Sequence, residues 1–244
     1  MTPSGPTLLQ GTEVRSVEIT GRLDPGRARE LAGPGLAVRE DAEGAEIEML
    51  AFRMKGLAPR GLPWLGADYG EVLFRLGVET RSGPAWLAVR CFLDSAPVAS
   101  LAAALIKYPV TRVTRVDLES DVDGWRLAVA DRTGCVLSAT LVPDVTATPP
   151  PAPVRPVLVR AQTSSGLRAA PDIRSRGPGA LLRVPWEETP APLRWRARAL
   201  VGAATLELGA LGAHARWISA IVHEGRTHRC GIAGRERTDP RPDE

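Results

Sequence analysis

Residues 69–78, YGEVLFRLGV, alternate in a way that limits what this chain can build. Val72, Phe74, Leu76 and Val78 fall on one face of a strand, and Tyr69, Glu71, Leu73 and Arg75 fall on the other. The first face must be covered by a core. The second is mixed, so Glu71 points either to solvent or into a second, internal space. Residues 84–93, PAWLAVRCFL, follow across Arg81-Ser82-Gly83 and predict a hairpin partner. Further strands are predicted over 14–22, 46–54, 110–118, 125–130, 135–142, 157–162, 180–184, 194–200, 203–208 and 215–223. Helices are few. One is predicted over 25–33, with Pro25 near its start and Gly33 after it. Another is predicted over 96–107, capped by Ser95 and stopped before Pro109. The pattern is a β-dominated α+β fold.

Composition excludes several classes. No run approaches the ~18 apolar residues of a membrane span, and the opening MTPSGPTLLQGTEV is not built like a signal peptide. Cys91, Cys135 and Cys230 form neither a CxxC motif nor a disulfide ladder, which predicts a cytoplasmic protein. The formal charge is only +3. In the densest basic stretch, 193-LRWRARAL-200, Arg194, Arg196 and Arg198 share a face and Trp195 lies opposite. A nucleic-acid groove needs both on one surface, so neither nucleic acid nor membrane is an expected partner. His214, His223 and His228 crowd the last strands, with His223 and His228 bracketing a turn at Glu224-Gly225-Arg226; their spacing is not that of a metal site. No GxSxG elbow or phosphate-cradling glycine loop is present. The proline-rich 143–156 reads as an extended connection. The predicted organisation is a flexible N-terminus over 1–11, one domain over 12–232, and a disordered tail over 233–244.

Several segments, in order, resemble acetoacetate decarboxylase-like proteins. They are 17-VEITGRLDPGRARELAGPGLAV-38, 46-EIEMLAF-52, 68-DYGEVLFRLGV-78, the helix ending in Tyr-Pro within 101-LAAALIKYPVTRVTRV-116, and 202-GAATLELGALGAHARWISAIVHEGRTHRC-230. The stretch 52-FRMKGLAPRGLP-63 is similar to an uncharacterised, non-decarboxylase branch of that superfamily. The resemblance implies a single domain around a closed, cone-like β-barrel with a central apolar cavity. In the decarboxylases it also implies two lysines directly after Tyr-Pro. The first forms a Schiff base; the second, with desolvation, lowers its pKa. Here those positions are Val110 and Thr111, and neither can form an imine. The family's Arg-Glu pair falls on Ala103 and Ala104, and its N-terminal arginine falls at Val14, beside Arg15. Two acidic positions survive, Glu48 and Glu71.

The chain has two lysines, Lys55 and Lys107. Lys107 reads either as a displaced nucleophile or as a charge at the negative end of a helix. Glu48 shares a strand face with Leu50, Phe52 and Met54, and with Glu46. A carboxylate at the end of an apolar face suits acid/base work; the alternative is that this end is wet. Arg90, Tyr108, Lys107 and Tyr69 are the candidate substrate-binding residues. The implied function is an enzyme acting on a small apolar, carbonyl-containing, polyketide-like compound without a Schiff base or cofactor. Glu71 would serve as base and Glu48 as neutral acid, or the reverse. The chemistry would be dehydration, isomerisation or cyclisation. The alternatives are a non-catalytic binding protein and, third, a decarboxylase using Lys107. A homo-oligomer is compatible with the sequence.

Overall fold

A computed structural model describes residues 9–105, 108–121, 123–144, 155–160, 181–184, 186–188, 193–203, 215–230 and 234–235. Lys107, most of the 203–208 strand and the 145–154 part of the proline-rich connection lie outside the described residues. The elements in order are β1 (Leu9–Leu23), α1 (Pro25–Ala32), β2 (Ala37–Val38), β3 (Glu40–Asp41), β4 (Gly44–Pro59), β5 (Ala67–Thr80), β6 (Gly83–Leu93) and α2 (Ala96–Leu105). They continue with β7 (Val110–Arg112), β8 (Arg115–Asp121), β9 (Gly124–Asp131), β10 (Gly134–Asp144), β11 (Val157–Arg160) and β12 (Leu181–Val184). The last are β13 (Trp186–Glu188), β14 (Leu193–Ala203), β15 (Ala215–Cys230) and β16 (Gly234–Arg235). No described helix is long and apolar enough to cross a membrane.

The helices stop where the sequence supplies caps. The Asp24 carboxylate accepts from Arg27 N at 2.9 Å, Pro25 opens α1, and Gly33 closes it at φ 68° with its N–H bonded to Arg29 O. Ala28 and Ala32 are the buried stripe of α1.

The strands form one sheet ordered β16-β12-β11-β6-β5-β4-β1-β15-β14-β10-β9-β8. Its central strands are buried on both faces. Ile47, Met49 and Ala51 of β4, and Val72, Phe74, Leu76 and Val78 of β5, join a first core. That core also holds α1 and the β8–β10 meander. On the opposite face Leu50, Phe52, Met54, Tyr69 and Leu73 join a second core with Val98, Ala99 and Ala102 of α2, together with Tyr108 and parts of β11 and β12. The face carrying Glu71 is therefore internal.

The closed barrel implied by the resemblance is not formed: among the described residues no ladder joins the β16 and β8 ends of the sheet. The reason is a bend. The predicted 110–118 strand breaks at Val113 and Thr114. Val113 N bonds back to Leu93 O on β6, whereas Thr114 N bonds to Ala130 O on β9. Residues before the bend thus pair with β6 and those after it with β9. Side chains tie β8 to β4, to β5 and to the end of β6. Asp94 accepts from Gly70 N, Val116 N and Arg53 Nη1, and Arg53 also donates to Val116 O at 2.9 Å.

Gly70 allows this approach. A Cβ there would lie 2.6 Å from Val116 Cβ and 2.8 Å from Val116 O. Gly70→Ala is expected to destabilise the protein by about 1–3 kcal/mol through overpacking, measured as a lowered urea midpoint.

Three strands outrun their expected ends. β4 continues to Pro59 and β1 begins at Leu9. β15 does not turn at Glu224-Gly225-Arg226 but runs through to Cys230, with Gly225 at φ 74° inside it. Glycine tolerates that conformation, so the strand coils without ending.

Candidate functional site

The internal face is assembled by register. Glu48, Leu50, Phe52 and Met54 alternate on β4; opposite them on β5 stand Arg75, Leu73, Glu71 and Tyr69. β1 adds Glu13, Ser16 and Glu18, paired with Met54, Phe52 and Leu50. The spacing from Glu13 to Ser16 breaks period two because Val14 and Arg15 together oppose Arg53, a bulge that keeps both Glu13 and Ser16 inward. β15 matches this step. Ser16 pairs with His223, Glu13 with Arg226, and Gly11 with His228.

The result departs from a purely apolar cavity. Glu13, Ser16, Glu48, Glu71, Arg75, His223, Arg226 and His228 are all buried. Glu13 is fully buried, and its carboxylate lies 2.5 Å from His228 Nε2 and 3.5 Å from Arg226 Nε. Arg226 Nη2 donates to Glu18 at 2.8 Å, and Glu18 lies 3.4 Å from His223 Nε2. A chain of alternating charge-bearing groups, His228-Glu13-Arg226-Glu18-His223, thus runs along β1 and β15. A separate pair, Arg75 with Glu48, sits on β4 and β5, and Arg75 also lies over the Trp86 ring, 5.3 Å from its centroid.

These surroundings push two carboxyls apart. Burial raises the Glu71 pKa to about 8, helped by the charge of Glu13 and opposed by hydrogen bonds from Cys91 and Tyr69 and by Arg75. Glu18 is shifted the other way. Burial alone would raise it, but contact with His223 and the charges of Arg226, His223 and Arg75 hold it well below the usual carboxylate range. The Cys91 thiol lies 3.4 Å from Glu71 Oε1 and is itself pushed up, first by burial and then by Glu71.

Of the residues singled out from sequence, Glu48, Glu71 and Tyr69 share this face, with Glu48 opposite Arg75, Glu71 opposite Phe52 and Tyr69 opposite Met54. Tyr69 meets Phe52 edge-on at 6.0 Å. Tyr108 is buried in the adjoining second core, against which Val110 also packs. Val110 pairs with Cys91, the thiol partner of Glu71, so the position directly after Tyr-Pro adjoins the site. Arg90 is placed differently. A bulge at Val89 sets Arg90 opposite Phe74 and Ala88 opposite Arg75, so Arg90 follows the first-core face and donates to Thr111 Oγ1 at 3.2 Å. Lys55 is exposed. Sequence reasoning missed Glu13, Ser16, Glu18, Cys91 and Arg226, and it considered His223 and His228 only as metal ligands.

No protein-family model and no curated protein matches the sequence. Solved structures do. The enduracididine biosynthesis enzyme MppR with HEPES buffer bound is similar with a TM-score of 0.73 and 16% identity, over 98% of this chain and 90% of that one. The acetoacetate decarboxylase of Legionella pneumophila subsp. pneumophila has a TM-score of 0.73 and 12% identity, over 97% and 90% of the two chains. An acetoacetate decarboxylase-like enzyme from Sphingomonas wittichii RW1 has a TM-score of 0.71 and 16% identity, over 97% and 98%. At these identities the likeness shows the fold: the chain has the acetoacetate decarboxylase-like architecture.

Proposed function

We propose that this protein is a small-molecule enzyme that acts on an apolar, carbonyl-containing, polyketide-like substrate by carboxylate acid/base chemistry, without a Schiff base. One observation carries the reading. A carboxyl that keeps its proton near neutrality, Glu71, shares an internal face with an arginine-paired carboxylate, Glu48. Leu50, Phe52 and Leu73 are buried on the same face, in the second core. This exchanges the roles first assigned from sequence: Glu71 is the acid and Glu48 the base.

The chemistry is balanced. Glu48 takes the proton from the carbon next to the carbonyl, and Glu71 gives its proton to the carbonyl oxygen, leaving an enol. Return of the Glu48 proton to another carbon, with the enol proton going back to Glu71, isomerises the substrate. Alternatively, collapse of the enol returns the oxygen proton to Glu71 while a β-hydroxyl, protonated from Glu48, leaves as water. Val110, packed beside Cys91 where a lysine would be needed, supports a route without an imine. MppR has been solved with the condensation product of pyruvate and imidazole 4-carboxaldehyde, so the same architecture accommodates carbonyl compounds in another protein.

Glu48→Gln is expected to lower kcat by about 10²–10⁴-fold while ligand binding persists, read by turnover and by titration of co-purified ligand. Full turnover in this variant sinks the proposal. Borohydride treatment with a small β-keto acid is expected to leave the protein mass unchanged; a covalent adduct on Lys107 would favour the decarboxylase reading instead. Binding with no turnover of any carbonyl compound that co-purifies would favour the non-catalytic reading.

A further inference from the structure

Ser16 and His223 are cross-strand neighbours on the internal face. Ser16 is fully buried and His223 is 6% exposed. Among the described residues, neither Ser16 Oγ nor either ring nitrogen of His223 has a hydrogen-bond partner, although Nε2 lies 3.4 Å from the Glu18 carboxylate. A buried polar atom left unpaired is costly, and native structures hold few of them without a water, a ligand or a role. Here such atoms lie on two neighbouring residues, one of them a ring turned to a carboxylate by its Nε2. His223 Nε2 is turned to the Glu18 carboxylate at 3.4 Å, which leaves Nδ1 for a group other than Glu18. Ser16 offers a donor. The pair is complementary to a hydroxyl group, which donates and accepts and so matches the Ser16 hydroxyl and the ring nitrogen together.

The position of the pair relative to Glu71 fixes what kind of molecule would use it. His223, Ser16, Phe52 and Glu71 form one rung across β15, β1, β4 and β5. Neighbouring strands are about 4.8 Å apart, so the strands of Ser16 and Glu71 are separated by about 10 Å. Phe52 lies between them, edge-on to Tyr69 and stacked on His228.

We propose that Ser16 and His223, oriented by Glu18, form a subsite for a hydroxyl at the far end of the substrate from its carbonyl, with the body of the molecule lying over Phe52. The substrate class is then a hydroxylated apolar ketone or aldehyde, a phenolic or secondary-alcohol compound whose two oxygens are separated by several carbons. The inference rests on the proposed function for the placement of the carbonyl at Glu71.

Two small ketones test it. Raspberry ketone carries a phenolic hydroxyl at one end and a methyl ketone at the other; benzylacetone is the same skeleton without the hydroxyl. In calorimetric or NMR titration of the full chain, raspberry ketone is expected to bind roughly tenfold more tightly, the worth of a paired buried hydrogen bond. In Ser16→Ala and in His223→Phe the preference is expected to vanish while benzylacetone binding is unchanged. Without ligand, Ser16→Ala is expected to raise Tm by about 2–4 °C, because it removes an unpaired buried hydroxyl. Equal affinity for both ketones in the wild type means that the pair holds water only; it overturns the subsite and leaves the acid/base proposal standing. A preference that survives both variants also overturns the subsite. If neither ketone binds, the subsite and the carbonyl site both fail.

Discussion

Glu71→Gln lowers kcat by about 10²–10⁴-fold and removes the alkaline limb of the pH–rate profile: this is the largest expected effect on activity. The wild-type kcat/KM is expected to fall as pH rises through about 8, where Glu71 loses the proton it must donate. Glutamine keeps the size and a donor but has no proton to transfer, so the residual rate has no limb there. The same substitution changes stability, and the sign follows from the direction of the shift. The carboxyl titrates at 4.5 when unperturbed and at about 8 in the fold. Between those values the native state holds a proton that the unfolded chain has released. Unfolding therefore becomes easier as pH rises across that window, and the loss is complete above it. At 1.36 kcal/mol per pKa unit the loss is of order 5 kcal/mol. Urea unfolding at pH 5 and pH 9 checks this: the wild type is markedly weaker at pH 9, and Glu71→Gln is nearly level. Equal slopes in the two proteins would mean that Glu71 ionises freely and is not the acid.

Arg226→Met is expected to cause the largest loss of stability. Arg226 is 4% exposed and stands between Glu13 and Glu18, at 3.5 Å and 2.8 Å. Methionine fills similar volume but leaves both carboxylates facing each other without their cation. Breaking a buried pair from one side costs about 3–5 kcal/mol, against a total of only about 5–15 kcal/mol for a typical domain. Adding Glu13→Gln and Glu18→Gln should recover most of the loss, because the penalty lies in the orphaned charges and not in the missing contact. The acid response changes too. Glu18, held below its ordinary range, contributes stability that is present above pH 4.5 and is lost as pH falls below it. In Arg226→Met that acid-side loss shrinks. Chemical denaturation from pH 3 to 7 measures both effects.

Wherever period two holds, the fold was legible. The hairpin of β5 and β6, the strand through Glu48 and Phe52, and the helix starting after Asp24 all follow from alternation, turn residues and caps. Glu48 and Glu71 could be placed on the Leu50–Phe52 and Tyr69–Leu73 faces for the same reason. The rest was hidden by bulges. Strict alternation puts Glu13 on the face of Val17 and Ile19; the extra residue at Val14 moves it to the face of Ser16 and Glu18. Alternation puts Arg90 with Trp86 and Ala88; the extra residue at Val89 separates them. Gly225 resembled a turn because glycine marks turns and coiled strands alike. A bulge has no composition of its own, and here two of them, at Val14 and Val89, decide which charges are internal. Barrel closure failed for a related reason: the bend at Val113 and Thr114 is a choice of hydrogen-bond partner, and no residue type there announces it.

The bulge at Val14 also bears on how such a protein could change. Val14 is 51% exposed and contributes no side chain to either core. Its effect is to offset everything before it by one place. Deleting it would join Glu13 directly to Arg15, so that Glu13 stays opposite Met54 and inward by plain alternation, while every residue from Arg15 onward kept its partner. His228 and Arg226 would still face the Glu13 carboxylate. A single codon lost at this surface position would thus leave the interior electrostatics in place, so related chains one residue shorter at this point are expected to keep the same internal charges.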